Sequence, residues 1–411
     1  MKKVFITGMG AMTSLGNSVD EMFAGLLANR TGVRAYPEWA KHKGLFSHLG
    51  APAPEFDSMK IPRVARRSMS RMSEMATLAA IQALQQADLP IDQGLNSQRI
   101  LLCMGSTTGS PVILETYFRK LFERGGPEGQ LSTSFFKVMN HTVPANVASA
   151  LSFHGPLLSP SSACSTSSQA MILGWELIQS GFYDIVIAGG ADELHYITSA
   201  IFDIVQAASR GYNDRPELSP RPFDRARDGL VVSEGASVVI LESEESMKKR
   251  GARATVEFCG GAYLCDGTHM SQSNSNTMTE VMKLALTRCN RNAADIDYVN
   301  AHATGTQQGD QEEVTAIRNV LGGNVPVSSL KGHFGHSLAA CGALEVICSS
   351  KMMENGVLIP TRNLTDIDPE CAGVAHVQQQ RQARVRTVLS NNFAFGGMNT
   401  SLLLSSTERT A

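Results

Sequence analysis

Apolar strand-like runs alternate with helix-like segments along this chain, in two successive series. No other feature constrains its fold as strongly. The first series opens with "VFITGMG" and continues through the helix-spaced "EMATLAAIQALQQADL" and the strand "RILLCMGS". It runs on through "HTVPANVASALSFHG", a short helix entered at Pro144, and "SSQAMILGWELIQSGF", a longer helix ending at Gly181. The buried strand "YDIVIAGGAD" follows. A second series begins near Gly251: the strand "ARATVEFCGGAYL", the helix "TMTEVMKLALTRCN", and the strands "IDYVNAHATGT" and "VPVSSLKGHFGH", each ending in a polar turn. The helix "CGALEVICSSKMMENG" and a strand pair in "RTVLSNNFAFGGMNTSLLLS" complete it. Such alternation predicts an α/β architecture with helices covering a sheet. Two series of one kind predict two related halves, residues 1–250 and 251–411. Between them, "SRGYNDRPELSPRPFDRARDGLVVSEG" is too polar and Pro-rich for a central strand or long helix. It reads as an ordered loop closing over the first half.

Composition removes several function classes. The net charge of −2 gives no sign of bulk nucleic-acid or polybasic membrane binding. The longest apolar runs are too short to span a bilayer, so no membrane insertion is expected. "MKKVFITGMGAM" imitates a signal peptide, but Gly8 and Gly10 interrupt it, and Val-Phe-Ile reads better as a buried first strand. A cytoplasmic protein is expected. The eight cysteines (Cys103, Cys164, Cys259, Cys265, Cys289, Cys341, Cys348 and Cys371) form no CxxC pair, and most read as buried free thiols.

Several stretches carry candidate chemistry. "TGMGAMTSLG" has GxG after a strand, but position 13 is Thr13 and no acidic residue stands about 20 positions on, so the glycines read as turn glycines rather than a dinucleotide site. "SPSSACSTSSQA" places Cys164 before a helical segment among small residues. A thiol there feels the partial positive charge of unpaired amides, which favours its thiolate. The stretch alone leaves two readings open, a buried cysteine in a helix cap or a nucleophile on a tight elbow. "NAHATGTQQGDQEE" puts His302 at a strand end, and "SSLKGHFGHSLAACGALE" puts Lys331, His333 and His336 at another, where ligands gather in open α/β sheets. His333 and His336 lack an evident third ligand, so no metal is expected. The Gly-Gly turn in "NNFAFGGMN" would let backbone amides approach a substrate as oxyanion donors.

Taken together, "VFITGMGAMTSLG", "SSACSTSSQA", "GGADE", "RPFDRARDGLVVSEGA", "NAHATGTQQGDQEE", "KGHFGH" and "NNFAFGGMNTSLLL" resemble, in order and spacing, the elongating β-ketoacyl-acyl-carrier-protein synthases of the type I/II group, over nearly the whole chain. The resemblance implies the thiolase-like fold, two related halves in a five-layered αβαβα sandwich, and a tight dimer. It implies that Cys164 accepts the acyl group and that His302 and His336 complete a Cys-His-His site for condensation with malonyl-carrier protein. It places Lys331 and Glu313 in a charged network behind the histidines, or equally a structural ion pair, and Asp310 also stands at a family position. Cys164 and Phe395 would supply the oxyanion amides, with Phe395 also a gate. Thr304 and Thr306 would contact pantetheine, and Thr108 would lie near the acyl-pocket floor. No bound cofactor is implied, since substrates arrive on the phosphopantetheine of acyl carrier protein. An acidic carrier would dock on Arg63, Arg66 and Arg67, with Arg71 beside them. A second basic pair is missing, with Glu128 and Gly129 in its place.

Other departures are Ala303 and Gly305 after the first histidine, Ala339 and Cys341 after the second, and Ser233 where Gly is usual. They leave the chemistry intact and make a specialised polyketide or polyene pathway plausible beside fatty acid synthesis. The partner would be a second copy or a chain-length-factor homologue. Two alternatives are weighed. A non-catalytic chain-length-factor-type subunit would usually lack the cysteine. A coenzyme A thiolase would typically carry a second active-site Cys near the C-terminus, and none lies beyond Cys371.

Overall fold

The computed structural model of the protein describes residues 2–91 and 98–407. Five strands of the first half are β1 (Val4–Met12), β2 (Ile100–Gly105), β3 (Leu157–Leu158), β4 (Ile185–Asp192) and β5 (Gly235–Ser243). The second half contributes β6 (Val256–Cys265), β7 (Tyr298–Asn300), β8 (Pro326–Ser328), β9 (Ala375–His376), β10 (Thr387–Phe393) and β11 (Met398–Ser406). Their hydrogen-bonded order is β3-β2-β4-β5-β1-β6-β11-β10-β7-β8-β9. Within this hydrogen-bonded order the halves meet at one residue pair, Phe5 with Glu257.

The two halves repeat one topology. In the first, the strands lie in the order third, second, fourth, fifth, first. In the second, β8-β7-β10-β11-β6 has that same order, with β9 added outside. The directions match as well. β2 runs parallel to β3 and β4, and β5 antiparallel to β4 and β1. Correspondingly, β7 runs parallel to β8 and β10, and β11 antiparallel to β10 and β6. The likeness between the halves is thus carried by topology, where residue identity left it faint.

Helices complete five layers. The main ones are α1 (Arg71–Gln86), α2 (Thr166–Gln179), α3 (Ser275–Arg288), α4 (Gln307–Leu321) and α5 (Cys341–Asn355). α1 covers the outer face of the first half, and α3 with α4 that of the second. α2 and α5 lie in the middle and touch strands of both halves. α5 is buried almost all round, as a helix between two sheets must be. Glycines set these approaches. A Cβ on Gly260 would come within 2.6 Å of the Trp175 ring, and one on Gly342 within 1.9 Å of Ser168 Oγ, where α5 crosses α2. Trp175 fills the space between α2 and β6. Its truncation to Ala would cost roughly 3–5 kcal/mol.

Two expectations need correction. Gly8 and Gly10 lie inside β1, not in a turn. A Cβ on either would sit 2.0 or 1.9 Å from the carbonyl oxygens of Ala83 and Ala79, so glycine is there to let α1 lie against the strand. The Pro-rich segment after Ser209 is an ordered loop, but it fastens onto the second half as well as the first. Asp224 accepts the amides of Thr365 and Asp366, and Arg227 bonds Asp368 Oδ2 at 2.5 Å and the Gln307 carbonyl at 2.9 Å.

Candidate active site

Each central helix is entered through the same device. A 3-10 turn at Ala163–Ser165 precedes α2, and one at Leu338–Ala340 precedes α5. The first residue of each turn is left-handed, with φ of 49° at Ala163 and 50° at Leu338. Cys164 is the second residue of the first turn. The serines around it fasten the elbow. Ser165 Oγ donates to the Ser162 carbonyl at 2.8 Å, Thr166 Oγ1 donates to the Ala163 carbonyl at 2.8 Å, and the Ser162 amide donates to Thr166 Oγ1 at 2.9 Å.

The elbow aims Cys164 Sγ at His336 Nε2, 2.9 Å away. His336 follows Gly335, whose φ of 75° requires glycine, and its backbone is clamped by Val231 and Ser233 at 2.8 and 2.9 Å. His302 lies in the turn after β7, its ring 5.3 Å from that of His336 and nearly perpendicular to it. One donor atom from each of Cys164, His302 and His336 falls within 4.8 Å of the others. Such a trio could hold a soft cation, but the buried Lys331 ammonium repels one, and both imidazoles feel its charge. His333 belongs elsewhere. Its ring nitrogens face the carbonyls of Arg30 and Pro360.

Burial dominates the electrostatics. It pushes the Cys164 thiol up to about 12, against the pull of Lys331 and of the Phe395 and Cys164 amides. The thiolate expected from the helix end alone is therefore not the resting form, because desolvation of a buried sulfur outweighs the dipole. Burial, with Lys331, also holds both histidines well below the usual imidazole range. The resting pair is a neutral thiol beside a neutral imidazole.

Lys331 and Glu313 both lie behind the histidines, but not as partners. Lys331 Nζ bonds Glu345, and both side chains are fully buried. Burial opposes the Lys331 charge, yet Glu345 keeps it above its ordinary value. Glu313 takes the backbone amides of His302 and Ala303 at 2.8 and 2.7 Å, one on each oxygen, and Asp310 takes those of Thr304 and Gly305 at 3.0 and 3.1 Å. The two acids of α4 thus shape the His302 turn. Burial pushes Glu313 up to about 8 against those amides and Lys331.

A narrow cavity leads to the sulfur. It is lined by Cys164, both histidines, Thr304, Thr306 and Phe395, and also by Asp266 and Met270 to Ser273. Thr304 Oγ1 donates to Thr306 Oγ1 at 3.2 Å, and the Phe395 ring leans on Phe202, centroids 5.7 Å apart. Thr108 is not among the lining residues. Its amide reaches Asp192 at 3.3 Å, and Asp192 also takes the Ala339 amide at 2.9 Å, joining that turn to the second elbow. Arg63 and Arg67 are exposed, and Arg66 is half-buried, on a short helix beside exposed Val64. Arg71 is spent inside, on Glu234 at 2.9 Å and over the Phe56 ring.

Sequence reasoning missed Glu345 and Asn392. Each left a trace: an acid alone within the apolar run "CGALEVICSS", and two asparagines in a strand, where that residue is depleted.

The model of the β-ketoacyl synthase N-terminal domain matches residues 1–246, and that of the C-terminal domain residues 256–365. The chain is 35% identical over 408 residues to 3-oxoacyl-[acyl-carrier-protein] synthase 1 of Escherichia coli (strain K12), covering 98% of this chain and 99% of that protein. It is 34% identical over 421 residues to the actinorhodin polyketide putative beta-ketoacyl synthase 1 of Streptomyces coelicolor, covering 99% and 89%. Among solved structures, a beta-ketoacyl synthase from Burkholderia phymatum STM815 superposes with a TM-score of 0.94 at 41% identity, over 99% of this chain and 100% of that one. The ishigamide ketosynthase/chain length factor superposes at 0.92 and 29%, over the same shares. With both domain models matched, and with relatives similar from end to end, the chain belongs to the β-ketoacyl synthase family.

Proposed function

We propose that Cys164 of this β-ketoacyl-acyl-carrier-protein synthase carries the acyl group and that His302 and His336 serve the decarboxylative condensation. The observation that carries the reading is the 2.9 Å contact of Cys164 Sγ with a neutral His336 at the end of the cavity. As sulfur attacks the acyl thioester, the thiol proton passes to the departing phosphopantetheine sulfur, and His336 keeps its own proton on Nε2. The tetrahedral oxyanion lies against the Cys164 and Phe395 amides. Malonyl-carrier protein then enters, its thioester carbonyl hydrogen-bonded by both imidazoles. Loss of carbon dioxide leaves an enolate-like carbanion, which attacks the acyl-Cys164 carbonyl. Collapse expels the Cys164 thiolate, which regains a proton from solvent, and frees the β-ketoacyl product on its carrier.

The reaction needs no bound cofactor or metal, since the phosphopantetheine thioester itself stabilises the carbanion. Acyl carrier protein is the partner, and its acidic surface would meet exposed Arg63 and Arg67 with Arg66 between. A second subunit, a copy of this chain or a chain-length-factor homologue, would cover the edge strand β3 and the exposed Phe118, Phe122, Phe135 and Phe136. Among the described residues no helix is long and apolar enough to cross a membrane, in keeping with a cytoplasmic enzyme.

The test is direct. Incubation with acyl-carrier protein gives an acyl adduct by intact mass, absent in Cys164→Ala. An adduct that persists in that variant would remove the nucleophile. His336→Ala should lose carbon dioxide release from malonyl-carrier protein by about 10²-fold or more.

A further inference from the structure

His302 can donate to a thioester carbonyl only if its proton sits on the ring nitrogen that faces the cavity. Lys331 makes no hydrogen bond to either histidine, so the charged pair behind them does not decide this directly. One side chain spans the gap. Asn392, near the end of β10, lies with Nδ2 2.6 Å from Glu345 Oε2 and 3.4 Å from His302 Nδ1. Its Oδ1 accepts from Ser168 Oγ at 2.5 Å. Cys341 Sγ stands 3.5 Å from the same nitrogen and donates to the Cys164 carbonyl at 2.9 Å.

Chemistry fixes which way the amide points. The Glu345 carboxylate, paired with Lys331, accepts and cannot donate, so the NH₂ group must face it. Turning the amide over would set its oxygen against that carboxylate. One Nδ2 hydrogen goes to Glu345, and the other points between His302 Nδ1 and Cys341 Sγ. A ring nitrogen that receives this hydrogen carries none of its own. The His302 proton then resides on Nε2. Asn392 is fully buried, as are Glu345 and Ser168, so water does not compete for these groups.

We propose that Asn392 is a positioning residue that fixes the tautomer of His302 and so makes it a hydrogen-bond donor toward the malonyl thioester. The proposal rests on the reading of His302 given above. It also gives the Lys331–Glu345 pair a route of action, since Glu345 orients the amide and the amide orients the proton.

The test uses the full-length protein with ¹⁵N-labelled histidine, in Asn392→Ala and the nearly isosteric Asn392→Asp, with His302→Ala to assign the signal. Wild type should show His302 protonated on Nε2. In Asn392→Ala the two nitrogen signals move toward an average of tautomers. In Asn392→Asp, whose carboxylate accepts from Nδ1, the pattern reverses. Decarboxylation of malonyl-carrier protein should fall about tenfold or more in both, the scale of a lost preorganised donor. Acylation of Cys164, which takes place beside His336, should change less than about threefold, well inside the range ascribed to a misplaced catalytic group. An unchanged His302 pattern in both variants would overturn the proposal, as would acylation falling as far as decarboxylation, the mark of a merely structural role. If Asn392→Ala does not fold, Asn392→Asp decides. A wild-type protein that neither acylates nor decarboxylates would instead remove the functional reading, while the nitrogen signals still report the tautomer.

Discussion

At Cys164 two effects of opposite sign meet on one sulfur. The helix entrance favours a thiolate and burial disfavours it, and with the thiol at about 12 burial prevails. Alkylation of Cys164 by iodoacetamide should therefore rise about tenfold per pH unit from pH 6 to 10, as the thiolate fraction does below its pKa. A plateau at neutral pH would reveal a standing thiolate–imidazolium pair and refute this. Glu313 poses a different question. It holds two buried amides, one on each oxygen. Glu313→Gln sets an NH₂ against one of them, with an expected loss of about 1–3 kcal/mol in denaturant unfolding. If the His302 turn loosens as expected, carbon dioxide release drops as well. The nucleophile and the two histidines were legible because each stands beside small or polar residues at a strand end or helix entrance. The partners of Lys331 and Glu313 were not. Glu313 and Glu345 are both within reach of the buried charge, and nothing in linear order says which of them bonds Lys331.

Among the elements, the two 3-10 elbows are the clearest sign of duplication, yet no shared residues announce them. "ACS" and "LAA" have only a left-handed first residue in common. The strands, helices and Gly-Gly hairpin were readable from apolar spacing. The role of Gly8 and Gly10 was not, because a glycine that admits a helix looks in sequence like one that makes a turn. The long loop after Ser209 shows the same limit. Its lack of regular structure was plain, its attachment was not. Asp224 anchors it. Burial would raise this carboxyl, but Arg221 and the amides of Asp366, Thr365 and Ala226 outweigh that and hold it at about 2. A depressed acid stabilises the fold above its unfolded value, and that contribution fades as pH falls from about 4 to about 2. Asp224→Asn should thus cost on the order of 2 kcal/mol at neutral pH, and its deficit should vanish near pH 2 in unfolding curves recorded across that range. A deficit that stays constant with pH would mean the carboxylate charge plays no part.

For the whole molecule, the sheet ends on β3, whose Leu157 and Leu158 are both 38% exposed, and phenylalanines gather on the surface with Phe122 75% exposed. An open apolar edge strand and exposed phenylalanines call for a second subunit. Light scattering on the purified chain should give twice the monomer mass. Leu157→Pro, which removes an edge hydrogen-bond donor, should shift it toward monomer. A wild-type monomer that pairs only with a co-expressed homologue would select the heteromeric assembly.

By itself the sequence determined the two α/β series, the reactive residue types and their order along the chain, because apolar periodicity and turn chemistry are local properties. The tertiary structure alone decided that Lys331 bonds Glu345, that Asn392 reaches His302, and that Cys164 rests as a thiol. Each of these depends on which groups burial brings together and strips of water, and on the crossing of two central helices separated by more than 150 residues of chain.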